Sequence, residues 1–220
     1  MERVPEKELM DDMEQAEAYA KADFSEPHNA YVEHFRLSFP WFSKGEVLDL
    51  GCGGADVTIR FANALPQTHI TGVDGSESML VTARHAVQQH GLSKRIILQK
   101  SFLPDAELLK KRFDAVVSNS LLHHLSYPPV MWQTMWLCAK AGAPLFMMDL
   151  FRPESIEEAE ALVRRYVGNE PQILQRDFYN SLLSSYTKEE IQEQLKATEL
   201  DYLKIETVSD RHIIVWGVIP

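Results

Sequence analysis

From Glu46 to about Asp149, apolar positions alternate between two spacings. Short runs such as Val47-Leu48-Asp49-Leu50, His69-Ile70-Thr71-Gly72-Val73 and Ile96-Ile97-Leu98-Gln99 read as buried strands, as do Phe113 to Asn119 and Pro144 to Met148. Between them the spacing becomes helical. Leu80, Ala83 and Val87 recur behind Ser76, a cap candidate, and Met131, Met135 and Cys138 recur after Pro128-Pro129. The latter stripe, with Trp132 and Trp136, reads as core. This rhythm predicts a parallel sheet with right-handed crossovers and helices on both faces.

The flanks behave differently. An acidic amphipathic opening runs from about Met10 to Phe24. From Arg152 to about Leu195 strands are missing: a helical stretch carries Ile156, Val163 and Val167, an irregular linker spans Gly168 to Phe178, and another helix starts at Lys188. So long an interval between strands points to a lid over the strand edges. Leu203, Ile205 and Thr207 then alternate with polar neighbours, and Arg211 to Val218 forms a second run. These predict two closing antiparallel strands joined tightly at Ser209-Asp210.

The chemistry concentrates where the first strand meets Gly51-Cys52-Gly53-Gly54 and a helix opens. Glycines accept positive φ and let a ligand approach the main chain, while the free N–H groups of the helix start attract negative charge. The second strand ends in Asp74, a carboxylate suited to a ribose diol at the edge where open α/β sheets bind ligands. A dinucleotide fingerprint needs a third glycine where this chain has Asp56. The pattern therefore departs from nicotinamide-cofactor binding.

Asp49-x-Gly51-x-Gly53-Gly54 with a later Asp74, the segment Phe113 to His124, and the strand entry Gly142-Ala143-Pro144 leading to Asp149 together resemble the class I S-adenosylmethionine-dependent methyltransferases. The resemblance implies an α/β, Rossmann-like, doubly wound sheet of seven mostly parallel strands, with an antiparallel C-terminal pair and a helical lid. One domain over 1–220 would comprise an N-terminal helical cap (1–44), a cofactor-binding core (45–150), a lid with a return helix (151–198) and closing strands (199–220). It implies S-adenosyl-L-methionine as cofactor, with Gly51, Gly53 and Gly54 as cradle, Asp49 near the ammonium group, Asp74 accepting from the ribose, and Cys52, Gly75 and Met79 as further cofactor-binding positions. Ser101 stands where many relatives carry an Asp facing the adenine amine, Phe102 can pack on the ring, and Asn119 and Ser120 fall where relatives set backbone carbonyls against the cofactor amine and open the path to the acceptor, a mostly main-chain role. His123 and His124 are the candidates to take a proton from the acceptor, His124 being favoured by the anchoring of Leu122 and Leu125. Tyr19, Arg152, Asp177, Tyr179 and Asn180 are candidate substrate contacts in the cap and lid.

The net charge of −10 disfavours a nucleic-acid partner, since phosphate backbones need clustered Lys and Arg, and Lys110-Lys111-Arg112 reads as a solvated helix end. No apolar run suggests a signal peptide or a membrane span, so the expectation is a cytoplasmic protein, monomer or homodimer. Cys52 and Cys138 read as buried thiols. No metal is expected, because adjacent histidines cannot form the usual i,i+4 pair on a helix. The expected function is in-line methyl transfer to a heteroatom or activated carbon of a small molecule. An RNA or protein acceptor, or a regulatory module that binds the cofactor without turnover, are the alternatives.

Overall fold

The computed structural model describes residues 1–6 and 22–220; Tyr19 and most of the expected opening helix lie outside them. Seven strands form one sheet: β1 (Lys44–Leu50), β2 (Gln67–Asp74), β3 (Ile96–Lys100), β4 (Ala115–Asn119), β5 (Pro144–Leu150), β6 (Lys204–Thr207) and β7 (His212–Val218). Their order is β3-β2-β1-β4-β5-β7-β6, with β7 antiparallel to both β5 and β6 and all other pairs parallel. The chain leaves β1 for one side of the sheet and returns to pair β4 on the other. A crevice opens at the C-terminal ends of such strands, where successive crossovers diverge.

Period-two alternation divides the core between the faces. Leu48, Leu50, Val116, Leu145, Met147, Ile213 and Val215 share one apolar cluster, while Val47, Ala115, Val117, Phe146, Met148 and Ile214 belong to another. The second face is covered by α1 (Ser25–Ser38), α2 (Asp56–Ala64) and α3 (Glu77–Gln89). Its centre is aromatic: the Phe35 ring stands edge-on to Phe61 at 4.7 Å and to Phe146 at 5.7 Å. The first face takes α4 (Pro129–Cys138), whose Met131, Met135 and Cys138 are buried as the spacing predicts. Ser76 caps α3, its Oγ accepting from Met79 N at 3.2 Å.

After β5 come α5 (Ile156–Val167), α6 (Gln172–Ser184) and α7 (Lys188–Ala197). The expected irregular linker at Gly168 to Phe178 is corrected: α6 begins at Gln172 behind Pro171 and buries Leu174, Leu182 and Leu183. Its few apolar positions, separated by Gln, Arg and Asn, hide a helical period that only packing against α5 reveals. Thr187 and Glu190 close a capping box at the start of α7, which returns Ile191 and Leu195 to the first face. No helix among the described residues is long and apolar enough to cross a membrane.

Candidate active site

The loop after β1 is built around backbone contacts. Gly51 and Cys52 N–H groups donate to Val73 O at 2.8 and 3.0 Å, tying the loop to β2. Gly51 has φ +73°, and a Cβ there would lie 2.9 Å from Leu121 Cβ, so neither the conformation nor the space admits another residue. Gly53 N donates to Asp74 Oδ2 and Ser76 N to Asp74 Oδ1, both at 2.8 Å. These bonds aim the carboxylate along the edge of the sheet. Burial raises the pKa of Asp74, although the backbone donors oppose the shift.

A cavity of about 1040 Å³ runs along this edge. Every residue expected at the cofactor, from Asp49 through Asp74 and Met79 to Ser120, lines it, as do His123 and His124. Asp49 is only 3% exposed; Thr58 Oγ1 donates to its Oδ2 at 2.6 Å, and no cation pairs with it among the described residues. Burial drives its pKa up to about 7, with the Thr58 bond working against and the nearby Asp74 charge adding to the rise. Across the loop, Asn119 Oδ1 is buried without a hydrogen-bond partner among the described residues, while its amide nitrogen donates to Ser120 Oγ at 3.1 Å. An acceptor-only carboxylate and an orphan amide oxygen facing one cavity suit a cationic amine. Ser101 donates from Oγ to Asp105 Oδ2 at 2.8 Å, which leaves its own lone pairs free to accept. Phe102 is 56% exposed at the rim.

The histidines occupy a short 3₁₀ turn, Leu122–His124. His123 Nδ1 meets Asp149 Oδ1 at 2.5 Å, and the opposite nitrogen, Nε2, lies 3.4 Å from Glu6 Oε1. His124 Nδ1 is 3.2 Å from the same Glu6 oxygen. Burial lowers the pKa of His123, but Asp149, by charge and hydrogen bond, and then Glu6 outweigh it and the net shift is upward. An imidazole with a carboxylate at each nitrogen has no nitrogen left as a free base in this arrangement. Asp149 is the partner that sequence reasoning did not assign. Its signal was an acid at the end of an otherwise apolar strand, Leu145-Phe146-Met147-Met148-Asp149. Nothing in the sequence marked Glu6.

The expected lid contacts fall elsewhere. Arg152 is buried, bonding Ser185 O at 3.2 Å and Glu190 Oε1 at 2.7 Å, so it fastens the start of α7 instead of lining the cavity. Asp177, whose carboxylate meets the Arg176 guanidinium at 3.1 Å, Tyr179 and Asn180 are also absent from the cavity wall. The helical turn supplies Leu174, Phe178 and Ser181 there instead. Treating 168–178 as a linker hid which face of α6 turns inward. Arg211 and His212 also line the cavity; burial and then the Arg211 charge hold His212 down at about 4.

Residues 47–142 match the family described as "Methyltransferase domain". The match covers the strands and helices from β1 to the loop before β5, under half of the chain, and the chain has the Rossmann-like fold of methyltransferases. Among curated relatives, a ubiquinone biosynthesis O-methyltransferase of Coxiella burnetii is 34% identical over 109 residues, 48% of this chain and 44% of that protein. A release factor glutamine methyltransferase of Gloeobacter violaceus is 39% identical over 75 residues, 33% of this chain and 25% of that one. The chain thus spans half or less of the length of these relatives. The structure of a SAM-dependent methyltransferase from Aquifex aeolicus superposes with a TM-score of 0.69 at 19% identity, covering 95% of this chain and 99% of that one. That last likeness concerns the fold.

Proposed function

We propose that the protein is an S-adenosylmethionine-dependent methyltransferase acting on a small molecule through oxygen, nitrogen, sulfur or an activated carbon. The pairing of Asp49 and Asn119 carries this reading. An α-amino group supplies both the cation and the N–H that Asp49 and Asn119 Oδ1 lack among the described residues. Asp74, at the neighbouring strand end, has accepting capacity left for a ribose diol, and each charge-assisted bond of that kind contributes about 1.5–3 kcal/mol. Gly51 to Gly54 let the ligand lie against the main chain between these carboxylates. Ser101 and Phe102 stand at the far side of Asp74, where a base would rest.

When bound, the sulfonium supplies a methyl group already activated for in-line displacement. What remains for the chain is alignment and exclusion of water. The glycine loop and the two acids fix one reactant. Leu174 and Phe178 of α6 line the cavity, as do His123 and His124, whose turn this reading assigns to the acceptor end. The acidic net charge of −10 favours a small acceptor over RNA. The Coxiella relative is by name an O-methyltransferase of ubiquinone biosynthesis, which accords with a small acceptor; the Gloeobacter relative, named for a release factor, represents the protein alternative.

Titration calorimetry with S-adenosylhomocysteine should show one site, weakened at least about tenfold in Asp74→Ala, which loses at least one bond to the sugar. A labelled methyl donor offered with small hydroxylated, thiol and amine acceptors, and separately with RNA and protein, should mark the first group. No binding by the wild-type chain would remove the reading. Binding without any labelled product would turn it toward a regulatory module.

A further inference from the structure

Four side chains from separate parts of the sequence meet at the acceptor end. Glu6 comes from the N-terminal segment, His123 and His124 from the turn after β4, and Asp149 from β5. The N-terminal segment is fastened there: Val4 N donates to Leu183 O at 3.0 Å, Arg3 Nη2 donates to His123 O at 2.9 Å and Leu125 O at 3.3 Å, and the Arg3 guanidinium lies 4.1 Å above the Tyr186 ring. Glu6 Oε1 accepts from Ser184 Oγ at 3.0 Å and Ser181 Oγ at 3.2 Å. The carboxylate is thereby held against both imidazoles.

We propose that Glu6, His123 and His124 form a binding site for a divalent metal ion of the zinc class, with Asp149 behind His123 and a coordination position open to the cavity. One ligand atom from each of the three lies within 4.8 Å of the others. The separations differ from those of an ion pair closed by a proton, in which charged N–H···O contacts run about 2.7–2.9 Å. Glu6 Oε1 stands 3.4 Å from His123 Nε2 and 3.2 Å from His124 Nδ1. Bonds of about 2.0–2.2 Å to nitrogen and oxygen set the edge of a metal tetrahedron at about 3.3–3.5 Å. The shorter contact of His123, Nδ1 to Asp149, closes to 2.5 Å on the other side of the same ring.

That bond has a second consequence. An Nδ1–H committed to a buried carboxylate points the Nε2 lone pair outward, as in the carboxylate–histidine–metal arrangement that fixes a ligand's tautomer and raises its basicity. Asp149 is itself fixed, accepting from Leu150 N at 2.7 Å and His123 N at 3.3 Å. Two imidazoles and one carboxylate form a donor set that suits Zn²⁺, and three protein ligands leave a fourth position. Both histidines line the cavity, so that position faces the space proposed for the acceptor. A hydroxyl, thiol or carboxylate of the acceptor is the ligand it would take. Adjacency of the histidines in sequence is no obstacle, because the 3₁₀ turn and a third ligand from a distant segment make the set.

Binding of the ion is independent of the methyltransferase reading; its use in holding the acceptor rests on that reading. The full-length protein, stripped with EDTA and dialysed against Zn²⁺, is expected to retain one equivalent, and Co²⁺ in its place to give the visible d–d bands of a low-coordinate site. Glu6→Gln, which is isosteric, and His124→Ala should each weaken Zn²⁺ binding at least about 100-fold, and Asp149→Asn about 10- to 100-fold, with thermal melts confirming that the variants are folded. Failure of the wild-type chain to retain Zn²⁺, or equal retention by folded Glu6→Gln and His124→Ala, would overturn the site and leave three side chains held by protons alone. S-adenosylhomocysteine calorimetry on the stripped protein separates the two claims: nucleoside binding without zinc binding sinks only the metal site, and the reverse sinks only the cofactor reading.

Discussion

Asp49 should couple cofactor affinity to pH. Burial holds its carboxyl at about 7, well above the ordinary carboxylate range, so near neutrality it is about half ionised. If only the ionised form pairs with the ligand's ammonium group, the apparent Kd carries the protonated fraction as a penalty. At about pH 5 the ionised fraction is about 1%, which costs about 2.7 kcal/mol relative to a fully ionised site. The Kd for S-adenosylhomocysteine should therefore fall about two orders of magnitude between about pH 5 and about pH 8, approaching one decade per pH unit on the acid side. Calorimetry across that range, in buffers of different ionisation enthalpy, should also register about half a proton released per binding event at about pH 7. Asp49→Asn should bind more weakly at about pH 8 and lose the Asp49 part of the slope, which separates it from titration at Glu6 and Asp74. A flat wild-type profile, or a slope unchanged in Asp49→Asn, would refute the reasoning.

The same raised pKa has a stability consequence of known sign. The folded state binds the Asp49 proton more tightly than the unfolded chain, so the stabilisation present at low pH is lost between about pH 4 and about pH 7, by up to about 1.4 kcal/mol per unit. Asp49→Asn, without ligand, should be the more stable protein in urea at about pH 8. Gly51→Ala should lower stability by about 1–3 kcal/mol and abolish S-adenosylhomocysteine binding, because its Cβ meets Leu121 in a backbone conformation unfavourable to alanine; melting curves and calorimetry report the two losses. Phe35→Ala removes the ring shared by Phe39, Phe42, Phe61 and Phe146 and should cost about 3–5 kcal/mol of unfolding free energy in a denaturant titration. Phe178→Ala should raise the acceptor KM while leaving the Kd for S-adenosylhomocysteine within about twofold, since Phe178 lines the cavity from α6 and belongs to neither the glycine loop nor the strand ends that carry the two acids.

Some of this was legible in the chain and some was not, for physical reasons that differ by residue. The strands from Val47 to Met148 carry their faces in a strict alternation, and their helices carry an apolar stripe and recognisable caps such as Ser76. Local pattern and global packing agree there, so the sheet could be read. The glycine loop and Asp74 were legible for a similar reason: a strand end, a turn and a helix start are contiguous in sequence, and their geometry is a local matter. The lid broke that agreement. The second helix after β5 has a weak stripe because one side lines the cavity while others meet α5, the 3₁₀ turn and the N-terminal segment, so the face carrying Leu174, Phe178 and Ser181 was not legible, and Arg152, Asp177, Tyr179 and Asn180, named as candidate contacts, lie off the cavity wall.

What the sequence determined by itself was the sheet, the glycine loop at its edge and the acid beside it, because periodicity and steric freedom act within a few residues. Only the tertiary structure decided the electrostatics of the site: that Asp49 is buried without a counter-charge among the described residues, that His123 has the Asp149 carboxylate behind it, and that Glu6 arrives from the far end of the chain. Desolvation and charge pairing depend on distances between segments that are remote in sequence, and no local pattern records them.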